Sequence, residues 1–268
     1  MIRKIYYVIC GSVFFFMMAP ILICVPLSFN AQRYLTFTPG MLELHRDAFS
    51  LRWYASFFGS QVWRDAIVNS MIVGSLTTLV ATTLGTVAAI GLSRRDTPFK
   101  KTLLALILSP MIVPVIVTAA GIYFLFSRWG LTQSITGLVI AHTIVAVPLV
   151  VITVSAALAR FDYDLVKASL SLSASPIETF FRVTLPLIAP GVASGAIFAF
   201  ATSLDEVVMA LFIAGVDQRT IPLIMWSGIR EELSPTILAA AVILTMVSIC
   251  MLLTVEYLRA WSSKFSNA

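Results

Sequence analysis

Six stretches of this chain are so long and so uniformly apolar that water cannot be their solvent. They run from Ile5 to Leu27, Ala66 to Leu92, Thr102 to Phe126, Ile135 to Ala159, Pro186 to Gly215 and Ile237 to Tyr257. Crossing a hydrocarbon core about 30 Å thick takes roughly 20 residues of helix, a length every stretch reaches. None alternates apolar with polar side chains, and a sheet spans lipid only by closing into a barrel. The expected fold class is therefore an all-α polytopic membrane protein, six transmembrane helices in a single domain over residues 1–268. Charged residues make up 12% of the chain, against roughly a quarter in soluble domains. The first stretch follows Arg3 and Lys4. Its apolar run is too long for a signal peptide and no small-residue cleavage site follows, so an uncleaved anchor is expected.

Six crossings place both termini on one side, and the basic residues choose which. One set of loops holds Arg3, Lys4, Arg94, Arg95, Lys100, Lys101, Arg160, Lys167, Arg182, Arg259 and Lys264; the other holds Arg33, Arg46, Arg52, Arg64, Arg128, Arg219 and Arg230. Eleven against seven makes the first set, and both termini, cytoplasmic. The link SRRDTPFKK from Ser93 to Lys101 is the clearest case. The net charge of +5 sorts by loop, so it reports topology and implies no nucleic-acid partner. Cys10, Cys24 and Cys250 fall inside apolar runs without metal-ligand spacing and read as small core residues.

Two external loops have their own character. Leu51 to Asp65, LRWYASFFGSQVWRD, sets Trp53, Tyr54, Phe57, Phe58 and Trp63 at partly helical spacing, which fits either an aromatic belt in the membrane interface or a docking element. Val216 to Thr236 is polar yet holds the run IPLIMW; it either dips back toward the membrane or forms a helix facing a partner. Glu231 and Glu232 in that loop are solvated or contact a delivery protein.

Chemistry is sparse. The chain has no GxxxxGK[ST] phosphate loop, no HExxH and no CxxC, and only two histidines. His45 reads as a loop residue. His142, inside the fourth crossing, reads as bonded to a neighbouring helix in preference to serving a proton relay. No paired acids, metal cluster or nucleophile with its base is visible, so the chain is not expected to be an enzyme. A pathway through the membrane is the better expectation, with a self-contained secondary transporter as the alternative.

Between crossings four and five lies a polar hairpin, residues 160–185, whose centre reads KASLSLSASPIETFFRVTLPLIAPG from Lys167. Asp162 or Asp164 is placed to cap a short first helix. Ser175 followed by Pro176 starts a second, with serine as N-cap and proline at the first position. Phe180, Phe181 and Val183 then face an apolar surface before Leu185 and Pro186 lead into the next crossing. Two short helices at an angle make a knob.

These residues resemble the cytoplasmic loop signature of ABC importer permeases: Glu-Ala-Ala, three residues, Gly, nine residues, Ile-x-Leu-Pro. Lys167, Ala168 and Ser169 stand at the first triplet, Ser173 at the glycine, and Val183 to Pro186 at the last element. Lys167 replaces the acid, Ser169 an alanine and Ser173 the glycine, and a non-glycine residue held at positive φ costs about 1 to 2 kcal/mol. The turn is thus either rearranged or strained. The resemblance implies a type I importer fold in which the loop, with Ala174, Ser175, Pro176, Phe180, Leu185 and Pro186, is a coupling helix seated on a cytoplasmic ABC ATPase dimer. ATP and Mg would sit on that partner and no cofactor on this chain. It further implies a second permease, identical or related, an external substrate-binding protein, and location in a bacterial inner membrane.

A narrower resemblance, to the second permease of spermidine/putrescine-type importers, lies in FATSLDEVVMALFIAG from Phe200 to Gly215 and QRTIPLIMWSGIREELSPTILAAA after it. It implies a heterodimeric pair moving a small organic cation such as a polyamine, with an opine or other small organic solute as the alternative. Asp205 and Glu206 lie in the fifth apolar stretch, where a central charge costs about 2.5 to 3.5 kcal/mol on insertion scales. Neighbours in sequence point about 100° apart on a helix, so one carboxylate, Asp205 by preference, is expected to line a pathway while the other caps a helix break or pairs with an arginine. Pro110, Pro114 and Pro148 are candidate hinges.

Overall fold

The computed structural model describes residues 2–94, 96–231 and 234–266; Arg95 and Glu232 lie outside them. Among the described residues the regular structure is helical apart from one isolated antiparallel bridge, Asn30 with Phe49. In chain order the helices are α1 (Ile2–Ser28), α2 (Pro39–Leu42), α3 (Arg52–Gly59), α4 (Gln61–Ser93), α5 (Lys100–Ile112), α6 (Val115–Trp129) and α7 (Ile135–Leu158). There follow α8 (Asp164–Ser171), α9 (Pro176–Thr179), α10 (Leu185–Asp205), α11 (Val208–Ile213), α12 (Ile221–Glu231) and α13 (Pro235–Ser266). A 3-10 turn, Arg46–Ala48, precedes α3, and a π turn, Phe180–Thr184, joins α9 to α10.

Five helical runs are long and apolar enough to cross a membrane: α1, α4, α7, the run Pro176–Asp205 that contains α10, and α13. α5 and α6 supply a sixth only as a pair, bent by 101°. The stretch Thr102 to Phe126 is thus two helices where one was expected. A proline disfavours helical backbone in the residue before it and donates no N–H of its own. Val113 accordingly is extended at φ −71°, ψ 133°, and Pro114 follows at ψ 127°. Pro110 and Pro148 lie inside α5 and α7, which continue through them.

The helix of the fifth apolar stretch also has other limits than Pro186 and Gly215. The helical run begins at Pro176, within the hairpin, because the π turn carries the helix through. Pro186 cannot donate to the carbonyl four residues back and its ring crowds that turn; the wider turn accommodates it, with Leu185 N–H donating to Phe180 O, five residues back. It ends at Asp205, with Glu206 extended at ψ 107°. Two adjacent carboxylates are unfavourable at the negative end of a helix dipole and favourable at the positive end of the next. The chain breaks between those two requirements.

The chain forms two compact units. One gathers the residues up to Ala66 with Leu223–Ile249. Here Asn30, fully buried, organises the loop after α1: its Nδ2 donates to the carbonyls of Tyr34 and Thr36, and its Oδ1 accepts from Gln32 N–H. Trp53 Nε1 donates to Asn30 O at 2.7 Å, and Ser28 Oγ and Tyr54 Oη share a bond of 2.7 Å. Phe57 and Trp63 are buried against each other, their centroids 5.0 Å apart. Most aromatics of this segment therefore pack on the loop itself; Phe58 is the exposed one. In the same unit α12 and α13 approach at Gly228, where a Cβ would lie 2.8 Å from Ile237 Cδ1.

The other unit, Ile67–Pro222 with the chain from Cys250 on, is built on α4, α7 and α10. Its core joins Ala81 and Ala89 of α4, Ala146, Val150, Val154 and Leu158 of α7, and Ile188 and Ala199 of α10. Lipid offers no hydrophobic drive between helices, so close packing through small residues holds them together. A Cβ on Gly85 would lie 2.6 Å from Val150 Cβ, one on Gly191 2.5 Å from Ala157 Cβ, and one on Gly195 2.7 Å from Thr153 Oγ1. Gly121 in α6 has nothing within 4 Å of such an atom. Gly85→Ala is expected to destabilise the purified chain by about 1 to 3 kcal/mol through overpacking. Gly121→Ala is expected to leave it unchanged or gain up to about 1 kcal/mol from helix propensity. Thermal unfolding in detergent, followed by size-exclusion chromatography, distinguishes the two.

Candidate coupling hairpin and translocation cleft

The hairpin grows out of the α4, α7 and α10 core. Phe161 packs on that core and meets Tyr163 edge to face, centroids 5.2 Å apart. Tyr163 Oη donates to Ser93 Oγ at 2.6 Å, fastening the hairpin to the end of α4. Asp162 Oδ1 accepts the N–H of Asp164, so of the two aspartates it is Asp162 that shapes the entry to α8. Asp164 instead receives Lys167 Nζ at 2.7 Å. That hydrogen bond, and the ammonium charge behind it, hold its carboxyl below the usual aspartate range.

α8 closes through a pair of backbone bonds. Ser173 N–H donates to Leu170 O and Ala174 N–H to Ser169 O, the two reverse bonds of a Schellman motif. Ser173 is the residue in the left-handed region, φ +66°. The turn is therefore the one a glycine would make, strained rather than rearranged. Ala168 O accepts from Leu172 N–H, and the hydroxyls of Ser169 and Thr179 share a bond of 2.9 Å across the knob. Ser175 Oγ accepts from Glu178 N–H, with Pro176 in the first turn, the cap its residue type calls for. Arg182 pairs with Glu178 at 3.1 Å, and Phe180, half-buried, packs edge-on against Phe181 at 4.9 Å. Leu185 is half-buried and Pro186 exposed at the start of α10. Lys167, Ala168, Ser173, Ser175 and Pro176 are exposed, Ser169 and Ala174 partly so. Apolar side chains stand out from this surface: Leu172 is 85% exposed, Ile177 72% and Phe181 60%.

Asp205 and Glu206 stand apart from the hairpin, at the opposite end of α10. They line a cleft of about 510 Å³ together with Met111 to Pro114, Val145 and Leu149. Both helix breaks, at Val113–Pro114 and at Glu206–Val207, open onto it, as irregular backbone at membrane depth must line a cavity or be buried in protein. The two carboxylates divide as adjacent positions should. Glu206 Oε1 accepts the N–H of Met209 at 2.9 Å and so caps α11. Asp205 is exposed and makes no hydrogen bond or ion pair among the described residues. Around them the chain is fastened: Gln133 N–H donates to Ile213 O at 2.7 Å, and Asn69 Nδ2 donates to the carbonyls of Asp217 and Arg219. Ser70 Oγ accepts Ile221 N–H at the start of α12, where the run IPLIMW is helical. His142 is buried on α7 and shares a 2.8 Å hydrogen bond with Ser203 of α10. Pro114 was the visible sign of one break; nothing in the sequence pointed to Tyr163 with Ser93 or to Ser203 as partner of His142.

Residues 81–264 match the family model described as binding-protein-dependent transport system inner membrane component. The chain belongs to that family. It is 30% identical over 239 residues to the spermidine/putrescine transport system permease protein PotC of Haemophilus influenzae, covering 89% of this chain and 90% of that one. With the putrescine transport system permease protein PotI of Escherichia coli K12 the identity is 29% over 238 residues, 86% of this chain and 82% of that. In fold, this permease is similar to a chain of a bacterial ABC transporter that imports the acidic polysaccharide alginate, with TM-score 0.68 at 13% identity, 97% of this chain and 95% of that. A chain of the MetNI methionine ABC transporter in inward-facing form gives 0.57 at 18% identity, 75% and 98%. The permease thus has the ABC importer membrane fold, and its hairpin lies inside the matched region.

Replacing Ser173 with glycine is expected to relieve about 1 kcal/mol of left-handed strain and slow amide hydrogen exchange over residues 169–175 about fivefold. Ser173→Val, with a β-branched side chain at the same φ, is expected to speed it.

Proposed function

We propose that this permease is one of two non-identical membrane subunits of an ATP-driven importer for a small organic cation of the polyamine class. Its 160–185 hairpin and both termini face the cytoplasm, as the distribution of lysine and arginine supports. The hairpin seats on a separate ABC ATPase that binds ATP and Mg²⁺, and a binding protein delivers solute on the other side. Closure of the ATPase rocks the helices about a fixed site, in alternating access. The observation that carries the substrate class is the unpaired carboxylate of Asp205 in the cleft between two helix breaks. A charge at that depth is costly unless water or an opposite charge meets it, and an ammonium group supplies the second. The relatives PotC and PotI, named as spermidine/putrescine and putrescine permeases, agree with that chemistry. The fold leaves it open, since similar folds serve alginate and methionine transporters.

The docking surface is tested at Ile177, exposed on the first turn of α9, where an aspartate suits the helix dipole but not an apolar groove. Ile177→Asp is expected to leave insertion intact and to reduce uptake by the assembled transporter about tenfold or more; unchanged uptake would overturn the coupling role. For the substrate, Asp205→Asn is expected to lower putrescine uptake about tenfold, the loss of one charge-assisted hydrogen bond, while Asp217→Asn in the exposed loop has little effect. Equal effects would remove charge selection at Asp205.

A further inference from the structure

We infer that His142 is a positioning residue: through Ser203 it sets the rotation of the last turn of α10 and so the direction in which Asp205 meets the cleft. The seam between α7 and α10 is antiparallel, with Val154 and Ala157 against Gly191, Val150 and Thr153 against Gly195, and His142 against Ser203. The first two contacts are close-packed and largely apolar. Such packing fixes separation far better than rotation, because a helix can turn by a fraction of a residue and repack. A hydrogen bond between two buried side chains is directional and fixes register. His142 is 1% exposed and Ser203 6%, and their bond lies two residues before the helix ends. Ser203 and Asp205 project about 200° apart around the helix. Holding Ser203 to α7 therefore fixes the direction of Asp205 around the helix, at the cleft it lines with Val145 and Leu149 of α7 and the α5–α6 bend.

The imidazole is not otherwise explained by its surroundings. Its Nε2 has no hydrogen-bond partner among the described residues, and its neighbours along α7, Leu138, Ala141 and Ala146, are fully buried and apolar. An aliphatic side chain would pack there without an unmet polar atom. What the ring adds is the bond from Nδ1 to Ser203, which an asparagine can reproduce and a leucine or glutamine cannot.

The consequence for transport rests on the reading of Asp205 as the ammonium-binding carboxylate; the consequence for geometry does not. The test uses both. In the full chain with Cys10, Cys24 and Cys250 replaced, in membrane vesicles, Asp205→Cys is labelled with a cationic thiol reagent. His142→Leu is expected to slow labelling about fivefold, the scale of coupling between residues in one network, while His142→Asn keeps the original rate. In the assembled transporter, His142→Leu is expected to lower putrescine uptake about fivefold in the parent, and to have no further effect once Asp205→Asn is present. Labelling rates equal in all three His142 forms would overturn the inference; additive uptake effects in the double variant would overturn its consequence for transport. A labelling change without any effect of Asp205→Asn on uptake would leave His142 as the positioning residue and sink the substrate reading alone.

Discussion

The closeness of α7 to α10 is the constraint on which the second unit depends. Two glycines on α10 admit the α7 backbone and its branched side chains to a distance that any larger residue would forbid, and Gly85 brings α4 to Val150 in the same way. In lipid this contact replaces the hydrophobic core of a soluble protein. It also explains why the irregular features gather at the two ends of α10. Between them the helix is committed to packing, so departures from regular structure are displaced to the hairpin on one side and the cleft on the other.

Both departures obey the rule that backbone polar groups in a bilayer must be met internally or open onto a cavity. At the hairpin end the π turn lets the helix run through Pro186 without a gap. At the other end two breaks face one cleft, and the side chain of Glu206 takes up an N–H that the break sets free. An unpaired carboxylate beside them is what remains when its neighbour has been used structurally.

Much of this was legible in the sequence. Five of the six apolar stretches lie in single helical runs long enough to span a membrane, because spanning imposes length and composition together. The serine and proline at Ser175 and Pro176 foretold the start of α9, since capping is local chemistry. The limits lie where geometry is set from afar. Pro114 marked a candidate bend but not its 101°, and no local rule separates Asp205 from Glu206 until the position of the helix end is known. Ser173 posed a choice between strain and rearrangement that only its φ resolves. The aromatics around Trp53 had the spacing of an interfacial helix, yet their partners, Asn30 O and Ser28 Oγ, lie more than twenty residues upstream.

The helical run Pro176–Asp205 has 30 residues, a rod about 45 Å long at 1.5 Å per residue. Gly191 and Gly195 sit near its midpoint, with the knob at one tip and the carboxylate at the other. A rod pinned at its centre is a lever whose fulcrum is a pair of missing methyl groups. Tilting it by about 5° would carry each tip about 2 Å in opposite directions, by the same rise per residue. A displacement of the serine-capped tip would thereby reappear, reversed in direction, at the tip that carries Asp205.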